Sequence, residues 1–78
     1  MPTVWRVGPY RFFFYSNEGS EPPHIHVQAG RHLAKFWLDP VSLAVSKHFT
    51  AHELSRLERL VVEREGQLRE VWNAFFNA

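Results

Sequence analysis

The chain has no cysteine among its 78 residues, and this absence excludes disulfide bonds. A domain of this length has room for only one small core, and such domains are commonly stabilised by disulfides, a metal ion or association. With disulfides excluded, a bound metal or a protein partner remains as the source of additional stability. The lack of cysteine also fits a reducing compartment.

The sequence also lacks a long hydrophobic run and an N-terminal leader pattern. No segment approaches the length needed to cross a bilayer, and the first residues show no basic region followed by an apolar stretch. These absences predict a single soluble domain over residues 1–78, located in the cytoplasm and without a membrane partner.

An excess of either charge is missing as well. Nine Lys and Arg oppose eight Asp and Glu, which gives a formal net charge of +1 with the five histidines neutral. Proteins that bind nucleic acid through phosphate contacts usually carry a basic stripe. Aromatic side chains near Arg11 and Lys35 superficially suit stacking on bases, but the charge balance argues against a nucleic-acid partner.

Aromatic residues, in contrast, are abundant at 15% of the chain. A predicted strand over residues 10–16 carries rings on both faces, with Phe12 and Phe14 on one of them. The other face carries Arg11, Phe13 and Tyr15. A single layer of helices covers one face only, so this second face is predicted to bind a small partner protein or a second copy of the chain.

The overall pattern predicts an α+β fold. Three to five antiparallel strands are expected within residues 3–46, followed by one kinked or two C-terminal helices packed on one face of the sheet. Turn residues Gly8 and Pro9 end the first strand, and residues 24–38 fit a hairpin with a Gly-containing loop. Residues 41–46 fit either a further strand or an extended connector.

The helical part is marked by a capping box. Thr50 and Glu53 occupy its two positions, so a helix is expected to begin at Ala51. An apolar stripe continues to Phe76 and is interrupted at Gly66, which favours two helices. The stripe predicted to pack on the sheet face that carries Phe12, Phe14 and Ile25 consists of Leu54, Leu57, Val61, Leu68 and Trp72.

The segment with the most distinctive chemistry is Pro22-Pro23-His24-Ile25-His26-Val27. In a strand, His24 and His26 project from one face, opposite Ile25. The two prolines fix φ and supply no amide donor, so they form a stiff approach to the strand. Both imidazoles are therefore expected at the rim of the sheet, partly exposed.

Two interpretations of this histidine pair remain open. Histidines at the start of a strand are often only a solvated polar face. Alternatively, His24 and His26 act as catalytic acid and base, bind a metal such as zinc, or contact a partner. Zinc would require a third ligand, which no HExxH or paired-carboxylate pattern supplies. Glu18 and Glu21 are the nearest carboxylates, although glutamates in loops are usually only solvated.

A third histidine depends on the register of the hairpin. If its loop has three residues, Gln28 pairs with His32, and His24, His26 and His32 share one face. If the loop has two residues, His32 lies on the opposite face. His32 is therefore included among the candidate binding residues, which are Arg11, Phe13, Tyr15, His24, His26 and His32.

These motifs together resemble an uncharacterised family of small bacterial domains of unknown function. The resemblance rests on residues 2–4, the Phe-rich strand, the Pro-Pro-His-Ile-His-Val block, the strand at Ala34-Lys35-Phe36 and a C-terminal helix from Leu68 to Trp72. Family members show a Pro-His-x-His block and a Glu-Leu-Leu-x-x-Trp type of helix. The likeness covers nearly the whole chain.

The resemblance implies that His24 and His26 are the signature histidines and Trp72 the helix tryptophan. Relatives are often paired with a second small protein, which implies a toxin-antitoxin-like arrangement. Many of them carry a histidine before the acidic residues of the last helix, where this chain has Glu63-Arg64-Glu65-Gly66-Gln67. A third histidine ligand from that helix is not carried over.

Two functions of different classes follow from the sequence. The first is an interaction protein that binds a partner through its two-sided aromatic strand. The second is a small hydrolase or nuclease-type toxin that uses His24 and His26. The second lacks a recognisable serine or cysteine nucleophile.

Overall fold

The computed structural model describes residues 3–77 and shows an open five-stranded antiparallel sheet followed by two helices. Met1, Pro2 and Ala78, which the predicted domain includes, lie outside the described residues. The elements in chain order are β1 (Thr3–Val7), β2 (Tyr10–Phe13), β3 (His24–Ala29), β4 (His32–Leu38), β5 (Val41–Lys47), α1 (Ala51–Glu63) and α2 (Glu65–Phe76). The predicted α+β class is confirmed.

The sheet is a meander in which each strand pairs with the next. Two of its turns contain a glycine with positive φ, Gly8 at +55° and Gly30 at +60°, a conformation that other residues adopt only with strain. Three of the four connections have two residues and keep their strands adjacent, whereas β2 and β3 pair across a longer loop over residues 14–23. The segment over residues 41–46 belongs to a strand, β5.

Strand β2 is shorter than predicted. It ends at Phe13, whereas alternation of side chains suggested a strand as far as Ser16. Phe14 is nevertheless buried, because the chain leaves the sheet directly over the end of α2, where Phe14 meets the ring of Trp72 at 5.3 Å.

The helix start is confirmed. Thr50 Oγ1 accepts a hydrogen bond from the backbone N–H of Glu53 at 3.1 Å, and the Glu53 side chain bonds back to the Thr50 amide. The two helices meet at Arg64, whose N–H is shared between the carbonyls of Leu60 and Val61. Gly66 lies inside α2, so the break precedes the glycine that suggested it.

The apolar stripe of the helices packs on one face of the sheet, as predicted. Four of its members are buried, and Leu54 packs against them while partly exposed. The buried cluster contains Phe12, Phe14, Ile25, Val27, Ala34, Phe36, Leu38, Phe49, Leu57, Val61, Leu68 and Trp72. No helix within residues 3–77 is long and apolar enough to cross a membrane.

The other face of the sheet carries no helical layer within residues 3–77. Cross-strand pairing aligns two rows of side chains on it. We call this surface the open face and define it by these rows and the neighbouring Tyr15: Phe13, His26, Lys35 and Val45 in one row, and Arg11, Gln28, Leu33 and Lys47 in the other.

Candidate functional site

Three chemically reactive side chains converge at one end of the open face. Glu18 Oε1 lies 3.0 Å from Nε2 of His24, and the Glu18 carboxylate lies 3.0 Å from Nε2 of His26. We call these three residues the Glu-His-His cluster. One ligand atom from each of them falls within 4.8 Å of the others.

The loop between β2 and β3 turns Glu18 back toward the strand. The Tyr15 amide donates to Glu18 Oε1 at 2.9 Å, and the Glu18 amide donates to the Tyr15 carbonyl at 3.2 Å. Gly19 lies against Phe76, where a Cβ would approach the ring to 2.6 Å. These contacts seat the loop on the end of α2, so Glu18 is held at the histidines.

The proline pair fixes the ring of His24. Pro23 O accepts from the Leu38 amide at 3.0 Å, which extends the pairing of β3 with β4. Pro22 O lies 3.0 Å from Nδ1 of His24. A carbonyl oxygen can only accept, so Nδ1 carries the proton and Nε2 faces the carboxylate of Glu18.

His24 is completely buried, with 0% of its surface exposed. The prediction that it is partly exposed is therefore wrong. Its ring is covered by Trp72 of α2 at 4.7 Å between centroids and by Trp37 on β4 at 5.7 Å. The sequence pattern placed His24 correctly on β3, but it does not show that Trp72 of the last helix covers the ring.

His26 is partly exposed, as predicted, with 17% of its side chain accessible. Phe13 stacks on its ring at 5.3 Å and Tyr15 meets it edge-on at 5.0 Å. Burial is the largest influence on His26, and it outweighs the hydrogen bond and charge of Glu18, so the pKa of His26 is lowered below its ordinary value. His26 is thus a neutral imidazole at neutral pH.

For Glu18, the surrounding polar groups together have a larger effect on the pKa than burial does. Burial acts to raise the pKa of its carboxyl, but the hydrogen bonds of the Tyr15 amide and His26, together with the nearby His24 ring, outweigh burial. The net result is a lowered pKa, so Glu18 is charged at neutral pH. The cluster therefore combines a carboxylate with two imidazole nitrogens.

His32 does not join this cluster. The hairpin loop has two residues, Ala29 pairs with His32, and His32 lies on the helix side of the sheet beside Phe49. A histidine trio is therefore absent from the described residues, and Glu18 takes the place of the third histidine. No local pattern distinguishes Glu18 from Glu21, which instead bonds to Lys35 at 2.7 Å.

Phe13 is covered by its own neighbours, whereas the sequence predicted that it lies on a face left open for a partner. Only 2% of it is exposed, and the Arg11 guanidinium lies 4.2 Å from the ring centroid. Arg11 also donates to Thr3 Oγ1 at 3.1 Å and Gln28 Oε1 at 3.3 Å. Tyr15 remains 42% exposed.

Beside the cluster, the open face contains a shallow hollow of about 290 Å³. It is lined by the exposed apolar side chains Leu33 and Val45 and by Tyr15. His26 lines the same hollow, so a molecule bound there contacts the cluster. The full lining consists of Phe13, Tyr15, His26, Leu33, Ala34, Lys35, Val45 and Lys47.

Comparison with known proteins gives one family. The model of a family described as "Domain of unknown function (DUF4160)" matches residues 10–73, which include the sheet from β2 onward, the Glu-His-His cluster and most of both helices. No curated protein and no solved structure matches the chain.

Proposed function

We propose that this chain, which belongs to the family described as a domain of unknown function (DUF4160), is an interaction protein that binds a small partner protein through its open face. The observation that carries the proposal is a group of exposed apolar side chains around the hollow. Tyr15 is 42%, Leu33 37% and Val45 55% exposed on the face that neither α1 nor α2 covers. Exposed apolar patches of this kind mark protein interfaces.

The position of β5 adds to this proposal. It is an edge strand, so one side of its backbone is not paired within the sheet. Leu43 and Val45 on β5 are 40% and 55% exposed. An apolar edge strand beside a hollow suits a partner that contributes an extended segment with apolar side chains.

In this proposal the chain is one component of a two-protein, toxin-antitoxin-like system in the bacterial cytoplasm. The support is the likeness of the Pro-His-x-His block to small domains that are paired with a second small protein. A homodimer through the same face is the alternative assembly, and light scattering on the isolated chain distinguishes the two.

Val45→Glu is expected to weaken partner binding by at least about 10-fold, because it places a charge at the centre of the apolar patch. The matched control is Val62→Glu on α1, since Val62 is 54% exposed and far from the hollow. Co-purification with the protein encoded beside this one, followed by titration calorimetry, measures the effect. A stable monomer without affinity for that protein, or equal binding by both variants, would contradict the proposal.

A second candidate, a His-dependent hydrolase or nuclease-type toxin, is favoured by the pairing of Glu18 with His26. A carboxylate on Nε2 and a neutral ring leave Nδ1 of His26 to accept a proton as a general base. Loss of cleavage or toxicity in the His24→Ala, His26→Ala double variant would support this reading. Unchanged behaviour of a folded double variant would discredit it.

A further inference from the structure

We propose that the Glu-His-His cluster binds a zinc ion, with Glu18, His24 and His26 as its protein ligands. The site adjoins the hollow that His26 and Val45 both line, but its ligands do not include the apolar residues of the patch, and the inference does not depend on partner binding. Its evidence is an unpartnered buried nitrogen, the donor set, and the contacts that hold each donor in place.

The unpartnered atom is Nε2 of His24. It is buried and has no hydrogen bond of acceptable geometry among residues 3–77, although Glu18 Oε1 approaches it to 3.0 Å. Nδ1 already carries a proton for Pro22 O, so a neutral ring directs a lone pair at a carboxylate. Two acceptors at this distance require a cation between them, either a second proton on the ring or a metal ion.

The donor set favours a metal of the zinc type. Two imidazole nitrogens and one carboxylate suit zinc and similar first-row ions, whereas calcium and magnesium prefer sites made only of oxygen. Zinc sites with three protein ligands of this composition keep a fourth position for an external donor. Within the described residues, Glu18, His24 and His26 are the one group with metal-ligand spacing.

The donor atoms are close enough to reach one ion after adjustment of the ligands. Bonds of about 2.0–2.1 Å in a tetrahedral site place ligand atoms roughly 3.3 Å apart. The two nitrogen–oxygen separations are 3.0 Å, and all three donors lie within 4.8 Å. Binding therefore requires the Glu18 carboxylate, which lies on a loop, to move slightly away from both rings, and the two imidazole nitrogens to reach the same spacing by rotation of the rings.

Contacts behind the ligands resemble those that orient metal-binding histidines. Pro22 O accepts from Nδ1 of His24, which leaves Nε2 as the ligand nitrogen. The aromatic rings of Phe13 and Trp72 pack on His26 and His24 and limit their rotation. The two histidine rings are therefore oriented before an ion arrives.

The test is calorimetric titration of the chain with zinc alone, after removal of any affinity tag and treatment with a chelator. We expect one ion per chain in the wild type, and a loss of affinity of at least about 10-fold in Glu18→Gln and in His26→Gln. Both residues are partly exposed, so these variants avoid the fully buried His24. Circular dichroism checks that both are folded.

The matched control is His32→Gln, which removes a partly buried histidine from the opposite face and should leave zinc affinity unchanged. Val45→Glu should also bind zinc normally, which separates this inference from the proposed partner site. Nitrogen-15 NMR of the rings should report zinc on Nε2 of both cluster histidines, with the Nδ1 proton of His24 retained. Absence of zinc binding, or wild-type affinity in Glu18→Gln and His26→Gln, would overturn the proposal and leave an imidazolium–carboxylate pair.

Discussion

Replacement of Trp72 by alanine is expected to remove about 3–5 kcal/mol of free energy of unfolding, a large part of the stability of the chain. Trp72 is 3% exposed, and its ring packs on Phe76 at 4.3 Å, His24 at 4.7 Å and Phe14 at 5.3 Å. Truncation of a buried tryptophan costs about 3–5 kcal/mol in free energy of unfolding. The total for a domain of 78 residues is of the order of 4–12 kcal/mol, so most of it can be lost.

Urea unfolding followed by far-ultraviolet circular dichroism measures this effect. Val71→Ala is the matched control, because Val71 is the preceding residue of α2 and is 40% exposed. Its change should stay within about 0.5 kcal/mol. A Trp72→Ala variant with the urea midpoint of the wild type would show that the end of α2 is not part of the cooperative core.

The fold could be predicted largely from local signals. The capping box at Thr50 specifies where α1 begins, and the glycine turns specify where strands reverse, because each depends on a few neighbouring residues. Hydrophobic alternation then assigned Phe12, Phe14 and Ile25 to the helix side of the sheet. These features do not require knowledge of distant contacts.

The candidate site could be predicted only in part, because its environment is built by distant residues. The alternation of β3 paired His24 with His26, but burial of His24 depends on Trp72 in the last helix. The role of Glu18 depends on how the loop over residues 14–23 folds back onto β3, which composition does not specify. The register of the hairpin between β3 and β4 determines which face of the sheet carries His32.

The structure joins the core and the candidate site through one tryptophan. Trp72 contacts Phe14 on its core side and His24 on its other side, so the ring that completes the core also excludes water from Nε2 of His24. The histidine-bearing end of β3 is consequently packed between α2 and β4. The carboxylate, which arrives on a loop, is the adjustable member of the cluster.

Glu18→Ala is therefore expected to destabilise the metal-free protein by about 2–3 kcal/mol at neutral pH, somewhat less than the loss of one partner from a fully buried ion pair. The substitution removes the acceptor of the Tyr15 amide and the carboxylate that faces both histidines. Glu21→Ala is the control from the same loop. Its partly exposed pair with Lys35 should contribute at most about 1 kcal/mol.

The difference between wild type and Glu18→Ala should also depend on pH. The folded pKa of Glu18 is lowered from its ordinary value of 4.5, so the stability it contributes is fully present above pH 4.5 and is lost as the pH falls through the folded pKa. Urea midpoints of both proteins, measured with chelator from neutral pH downward, should therefore converge in acid. A difference that is equal at all pH values would mean that Glu18 acts only by packing, and no difference at neutral pH would contradict its role in holding the histidines.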